Sequence, residues 1–276
     1  MLDAMLERIG HSGAVTQDSD TLTALHRAWR RAVPYENLDI QLGRPIRLDD
    51  ESLYDKLIRR GRGGYCYEQN AVLCMLLRAA GFPVTVLEGA VLRETHGEAR
   101  WGNHVVLLVT VGDERWIADA GIGDGFLDPL PLREGRYEQD GLVYRLERLD
   151  RDTWRFHHHP GGTISSYDFR LEAREIGDFA DHSDRLSTSP ESPYVTTLIV
   201  GRPLVDHTAL LLSRTVRRLG AADPCVRTVG TPDEFARLLR ETFHVPLDDL
   251  GRDGLELLWG RAGAQDALWR ARVDGG

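Results

Sequence analysis

The chain has 276 residues, 42% hydrophobic and 28% charged, which is enough apolar material for a sizeable core or two packed domains and excludes a disordered polymer. Its net charge of −9, with acidic residues spread along the chain, excludes the basic stripe by which a nucleic-acid binder neutralises phosphates. The N-terminal MLDAMLERIGHSG lacks the apolar run of about 7–15 residues of a secretory signal. The longest apolar stretches, at 104–111 and 208–213, fall far short of the roughly 20 residues a membrane-spanning helix needs. A cytoplasmic chain is expected, and the three cysteines, Cys66, Cys74 and Cys225, form an odd and sparse set that suits a reducing compartment with free thiols.

In chain order, residues 22–81 carry helical spacing. Leu22, Leu25, His26 and Trp29 share one face, followed by Leu53, Leu57 and Ile58, then by Val72, Leu73, Leu76 and Leu77, with Gly81 and Pro83 closing the last helix. The pattern changes at Val84. Segments 84–93, 104–111, 115–119, 142–149 and 153–158 are short, rich in Val, Ile, Trp and Tyr, and separated by turn residues, which predicts an antiparallel sheet or barrel with a hairpin turn at Gly112-Asp113. Residues 187–193 read as a loop, 194–200 as an extended run, and 204–213 as further strand. Pro232 to Phe243 reads as a helix capped by Thr231.

The sharpest local feature is Arg60-Gly61-Arg62-Gly63-Gly64-Tyr65-Cys66-Tyr67-Glu68-Gln69-Asn70, which runs straight into the amphipathic stretch 71–80. Cys66 is thereby placed at a helix N-terminus, where free backbone N–H groups and the helix dipole favour an anionic sulfur. The glycines let the backbone turn sharply and leave room for a substrate carbonyl. An arbitrary cysteine is more often a small buried hydrophobe, and Cys74, inside an apolar helix face, keeps that reading. Cys225, beside Pro224 in a loop, has no chemical company.

A thiolate nucleophile needs a base, and the base an orienting group. His104 opens one predicted strand and Asp119 ends the next. With the turn centred near Asp113, Asp119 lies opposite Leu107, about 10 Å along the sheet from His104, so twist or a bulge must close the gap. Asp119 is flanked by apolar residues, where an acid requires a partner. Metal chemistry has little support: there is no C-x-x-C pair and no H-E-x-x-H helix. Consecutive strand residues point to opposite faces, so at most two of His157, His158 and His159 can share an ion, and no metal site is expected. The glycine-rich 121–125 turn lacks the Lys-Ser/Thr ending of a phosphate-binding loop.

Taken together, Pro34-Tyr35-Glu36-Asn37-Leu38-Asp39, Arg62-Gly63-Gly64-Tyr65-Cys66-Tyr67-Glu68, His104-Val105-Val106-Leu107, Asp119-Ala120-Gly121-Ile122-Gly123 and Ser187-Thr188-Ser189-Pro190-Glu191-Ser192 resemble, in order, the signature segments of arylamine N-acetyltransferases. The resemblance implies an α+β fold of three domains with a cysteine-proteinase-like core: a helical bundle over 1–83 carrying the nucleophile, an antiparallel β-barrel over 84–189 carrying His104 and Asp119, and an α/β lid over 190–276. It implies Cys66 as nucleophile, His104 as proton partner and Asp119 as orienting acid in ping-pong transfer of an acetyl group from acetyl-CoA to an arylamine, arylhydrazine or arylhydroxylamine. Gly121, Ile122 and Gly123 are implied near the coenzyme A pyrophosphate, where exposed N–H groups would suit an anion. Tyr35, Tyr65, Tyr67 and Tyr194 are implied as the substrate pocket. No permanently bound cofactor, metal, nucleic acid or membrane is implied.

The sequence also departs from that pattern. Ile122 stands where the family usually has an aromatic, which removes a stacking face for a flat amine. Tyr35, Tyr67 and Tyr194 stand where phenylalanine is common and add hydroxyls. These changes keep open a related reading, an amide synthase that joins a polyketide acyl chain, carried by coenzyme A or an acyl carrier protein, to an aryl amine, for which a wide channel past the lid is required. A cysteine peptidase or transglutaminase-like hydrolase shares the Cys, His, Asp order but not the Arg-Gly-Gly-x-Cys segment. A silent binding module predicts the loss of at least one of the three residues, and all are present.

Overall fold

A computed structural model describes residues 1–220 and 225–274; Pro224 lies outside the described residues. The helix Ser19–Ala32 starts where the Asp18 carboxylate accepts the Thr21 N–H at 2.7 Å, and its apolar face buries Leu22, Leu25, His26 and Trp29 as the spacing predicts. The helix Cys66–Ala79 is buried on nearly every side, and its residues Val72, Leu73, Leu76 and Leu77 centre the first core. A helix Asp50–Tyr54 continues as one π turn, Asp55–Arg59, and packs on that core through Leu53 and Leu57.

Eight antiparallel strands form a nearly closed barrel. In spatial order they are Leu130–Pro131, Glu114–Ala118, His104–Val111, Val84–Val91, Ser166–Arg174, Thr153–His157, Leu142–Arg148 and Gly135–Gln139. The two edge strands are tied by side chains: the Tyr137 hydroxyl donates to the Pro131 and Arg133 carbonyls, and Gln139 Oε1 accepts the N–H groups of Leu127 and Asp128. The barrel has its own core, built on Leu87, Val106, Ile117, Phe126, Tyr144, Phe156, Tyr167 and Phe169.

A second sheet runs Tyr35–Glu36, Ile199–Pro203, Thr208–Leu212, Thr215–Leu219, Val226–Thr228. Its first strand comes from the N-terminal segment, so the C-terminal third is stitched to the helical third by main-chain pairing of Tyr35 with Gly201 and Glu36 with Val200. The helices Pro232–Glu241, capped by Thr231 as expected, and Leu247–Asp274, kinked at Gly251, cover this sheet. No helix among the described residues is long and apolar enough to cross a membrane.

Three sequence readings need correction. The helix Ala180–Thr188 takes the first part of the expected 187–193 loop. The expected extended run at 194–200 begins instead as the short helix Pro193–Thr196, because Ser192 caps it and Pro193 occupies its first turn, where a missing N–H costs nothing. The hairpin pairs Leu107 with Ala118 and Val111 with Glu114, so Asp119 lies one residue past the strand rather than opposite Leu107.

Candidate active site

The segment that delivers Cys66 is held by buried charge. The Arg62 guanidinium, fully buried, donates to Glu36 Oε1 at 2.8 and 3.0 Å and reaches Asp39 and Asp249. Lys56 Nζ lies 2.8 Å from both Asp39 Oδ2 and Glu68 Oε1, while Glu68 Oε2 accepts the Tyr65 N–H at 3.2 Å. Burial alone would raise the Asp39 carboxyl, but Lys56 and Arg62 overcome it and hold it well below the usual range. Gly63 and Gly64 fit because a Cβ at either would collide with the Pro34 carbonyl, 1.9 Å away, or with Glu68, 2.6 Å away. The glycines thus serve close approach, Gly63 to the Pro34 main chain and Gly64 to the Glu68 side chain.

Cys66 follows as the first residue of its helix and is wholly buried. One turn along the same helix, Asn70 Nδ2 donates to Asp119 Oδ1 at 2.8 Å and Asn70 Oδ1 accepts the Ala120 N–H at 2.8 Å. The Asp119 N–H donates to His26 Nε2 at 3.1 Å, and His26 in turn donates from Nδ1 to the Leu127 carbonyl at 2.8 Å. Burial pushes His26 down to about 4, so it stays a neutral, single-tautomer clamp. These contacts draw the chain inward after Ala118 and close the gap that strand register alone leaves: His104 Nε2 and Asp119 Oδ2 stand 2.8 Å apart.

His104 Nδ1 is buried with no hydrogen-bond partner among the described residues. A Cβ on Gly121 would lie 2.8 Å from His104 Cε1 and 3.0 Å from Cys66 Cα, which shows how closely the imidazole and the cysteine share one space. Burial alone would lower His104, but the Asp119 carboxylate, helped by Cys66, overcomes it and pushes His104 up to about 10. Asp119 is held below the usual carboxylate range: burial opposes this, and His104, Asn70 and the Gly121 N–H outweigh it.

These opposite shifts set a pH window. Stability from His104 is fully present below its ordinary 6.5 and is lost as pH rises through about 10, whereas stability from Asp119 is present above its ordinary 3.8 and is lost as pH falls. The gap in thermal midpoint between the natural chain and His104→Gln should therefore be widest between about pH 4 and 6.5 and shrink steadily toward pH 10. A gap constant over that range would show that the pair is not charged.

Of the expected pocket residues, Tyr194 approaches the sulfur at 3.9 Å through its hydroxyl, which also accepts from Tyr35 at 3.0 Å. Tyr65 stacks edge-on against Tyr67 and Tyr194, its hydroxyl 2.5 Å from Ser183 Oγ, and the Tyr67 hydroxyl donates to the Gly102 carbonyl at 2.6 Å. The turn at 121–125 differs from expectation. Gly121, Ile122 and Gly123 are buried rather than exposed, the Gly121 N–H is given to Asp119, and the carbonyls of Ile122, Gly123 and Gly125 are gripped by the buried Arg30 guanidinium. Ile122 packs into the barrel core. Cys74 is buried in its helix, with its thiol pushed up to about 11 by that burial.

Residues 18–251 match a family model described as N-acetyltransferase. The arylamine N-acetyltransferase of Escherichia coli K12 is 34% identical over 255 residues, covering 90% of each chain. The chain belongs to the arylamine N-acetyltransferase family. Within it, the arylamine N-acetyltransferase / N-hydroxyarylamine O-acetyltransferase of Salmonella typhimurium is 34% identical over 84% of each chain. The structure of Mycobacterium marinum arylamine N-acetyltransferase in complex with CoA superposes with a TM-score of 0.84 at 29% identity, over 95% of this chain and 98% of that one. The protein is thus an acyltransferase of this family, built on the family's fold.

Sequence reasoning named Cys66, His104 and Asp119 but gave no role to Asn70, His26, Arg30 or the Arg62 cluster. The signal was present for some. Glu36, Asp39, Arg62 and Glu68 all sit inside the quoted motifs, and charged residues beside Gly-Gly and apolar positions must pair if they are buried.

Proposed function

We propose that Cys66 is the nucleophile, His104 its proton partner and Asp119 the orienting acid in ping-pong transfer of an acetyl group from acetyl-CoA to an arylamine, arylhydrazine or arylhydroxylamine. The carrying observation is the 2.8 Å His104–Asp119 contact beside a cysteine at a helix N-terminus. The imidazolium stabilises an anionic sulfur, which attacks the thioester carbonyl. The carbon–sulfur bond to coenzyme A breaks, and its sulfur takes the proton from His104 Nδ1. The amine then attacks the acyl-cysteine, His104 takes the amine proton, and Cys66 is released.

Tyr35, Tyr65, Tyr67 and Tyr194 are the proposed pocket, with the Tyr194 hydroxyl at the sulfur and the Tyr35 hydroxyl bonded to it. Gly121, Ile122 and Gly123 are the proposed coenzyme A contact, supported by the CoA complex of the Mycobacterium marinum relative. The proposed units remain 1–83, 84–189 and 190–276, and the proposed compartment is the cytosol, supported by three unpaired cysteines. A small acyl group fits a sulfur wholly buried beneath Tyr194 better than the wide channel an amide synthase with a carrier-borne chain requires.

Intact-protein mass spectrometry after mixing with acetyl-CoA tests this reading. An acetyl-sized gain is expected on the natural chain and none on Cys66→Ala. A gain on the variant would overturn the nucleophile; no gain on either would overturn acetyl-CoA as donor and direct the search to bulkier thioesters.

A further inference from the structure

Against Tyr144 and Phe156 of the barrel core, three groups converge that transfer chemistry does not use. Asp124 is wholly buried. His158 Nε2 lies 3.6 Å from its Oδ1 and His159 Nε2 lies 3.9 Å from its Oδ2. Adjacent histidines can face one way because the strand ends at His157: His157 stays on the ladder beside Glu147, and the next two residues leave the pleat. The alternation that would have paired His157 with His159 therefore does not apply.

The hydrogen bonds around the cluster fix what it lacks. His158 Nδ1 faces the His159 carbonyl at 3.4 Å and His159 Nδ1 faces the Pro160 carbonyl at 3.1 Å; a carbonyl only accepts, so both Nδ1 atoms carry the proton. In a neutral ring Nε2 is then a lone pair. Both Nε2 atoms are buried without a hydrogen-bond partner among the described residues, and both point toward a carboxylate. Among the described residues Asp124 accepts only the Thr163 N–H at 2.8 Å and the Thr163 hydroxyl at 2.5 Å, while the buried Arg30 gives its Nη donors to the turn carbonyls and leaves its Nε unpartnered. Two lone pairs and an anion closing on one buried point form a cation-binding arrangement.

We propose that Asp124, His158 and His159 bind a divalent metal ion of the zinc type through three protein ligands, with water in the fourth position. Two imidazoles and one carboxylate suit that ion, and ring N–H groups held by backbone carbonyls are how metal-ligating histidines are usually oriented. Ligand atoms about 2.0–2.2 Å from a tetrahedral zinc stand roughly 3.3–3.6 Å apart. The two histidine-to-carboxylate separations, to different Asp124 oxygens, need a contraction of a few tenths of an ångström, and with all three ligand atoms within 4.8 Å of one another the widest pair closes by about 1 Å at most by a turn of a side chain. The rings are preset: Tyr144 stands edge-on to both at 5.7 Å, and Gly162 leaves the space that a Cβ, 2.1 Å from His158 Nδ1, would take. Such an ion would pin the 121–125 turn to the loop at 158–163 without touching the reacting sulfur.

The untagged full chain, stripped with chelator, incubated with excess zinc chloride and desalted, tests the site by metal analysis and thermal melting. One zinc per chain and a higher midpoint than the stripped protein are expected. Asp124→Asn and the His158→Gln/His159→Gln double variant should bind at least roughly 10–100-fold more weakly. Cobalt(II) bound to the natural chain should show visible d–d bands without a sulfur-to-metal charge-transfer band, which separates the site from Cys66, Cys74 and Cys225 and needs no variant to fold. A natural chain that retains no zinc and melts identically with zinc or chelator overturns the proposal and leaves a shared proton as the countercharge. Undiminished zinc in folded variants, or a charge-transfer band, overturns it equally.

Discussion

Asp119→Asn is expected to lower kcat by about 10³–10⁴-fold while leaving the fold in place. The reason lies in which oxygen does what. Asp119 Oδ1 accepts from Asn70 Nδ2 at 2.8 Å and from the Gly121 N–H at 2.7 Å, so the oxygen of an asparagine will be kept at that position. Its NH₂ must then face His104 Nε2, now 2.8 Å from a carboxylate oxygen. An amide donor there turns Nε2 into an acceptor, holds the single ring proton on Nδ1, and removes the charge that keeps the imidazole protonated. The sulfur loses its cationic neighbour although no main-chain contact changes. Steady-state turnover, alkylation rate of Cys66 and the thermal melt together check this. Undiminished turnover would remove Asp119 from the mechanism, and a collapsed melt would mean that its role is mainly structural.

The second large effect is on stability. Arg62→Met should destabilise the fold by roughly 3–5 kcal/mol, because removing one partner leaves Glu36 and its neighbours as uncompensated buried charge. At about 2–4 °C per kcal/mol for a chain of this size class, the midpoint should fall on the order of 10 °C. Arg62 has no exposed side-chain surface, and neither has Glu36. By contrast the Arg59–Glu51 pair is 53% and 76% exposed, and Arg59→Ala should cost under about 1 kcal/mol. Denaturant melts of the two variants give the comparison. Equal small losses would show that the Arg62 cluster is solvated in solution. The cluster also bears on the proposed chemistry, since Glu68, held by Lys56, accepts the Tyr65 N–H immediately before Cys66.

The helix behind Cys66 and most barrel strands were legible because their signals are local: apolar periodicity, β-branched runs and turn residues between them. The central strand Ser166–Arg174 is absent from the expected strands, although Tyr167, Phe169, Leu171 and Ala173 alternate with Asp168, Arg170, Glu172 and Arg174 as in a half-buried strand; Asp168 is buried because Arg93 and Arg155 pair with it from neighbouring elements. The short helix Pro193–Thr196 was hidden by its Tyr and β-branched residues, which favour a strand reading, while Ser192 and Pro193 supplied a helix start. At the site, sequence placed His104 and Asp119 on adjacent strands but left them about 10 Å apart by register.

Sequence by itself determined the helix start at Cys66, the order of the chemical residues and the family resemblance, since each is written in contiguous residues. Tertiary structure alone decided that Asp119 reaches His104, that Arg62 ends in a buried cluster of carboxylates, and that Asp124 meets His158 and His159. Such meetings join residues far apart in the chain, and the physical cause is packing: once Asn70 and His26 hold the turn after Ala118, the side chains have one place to go.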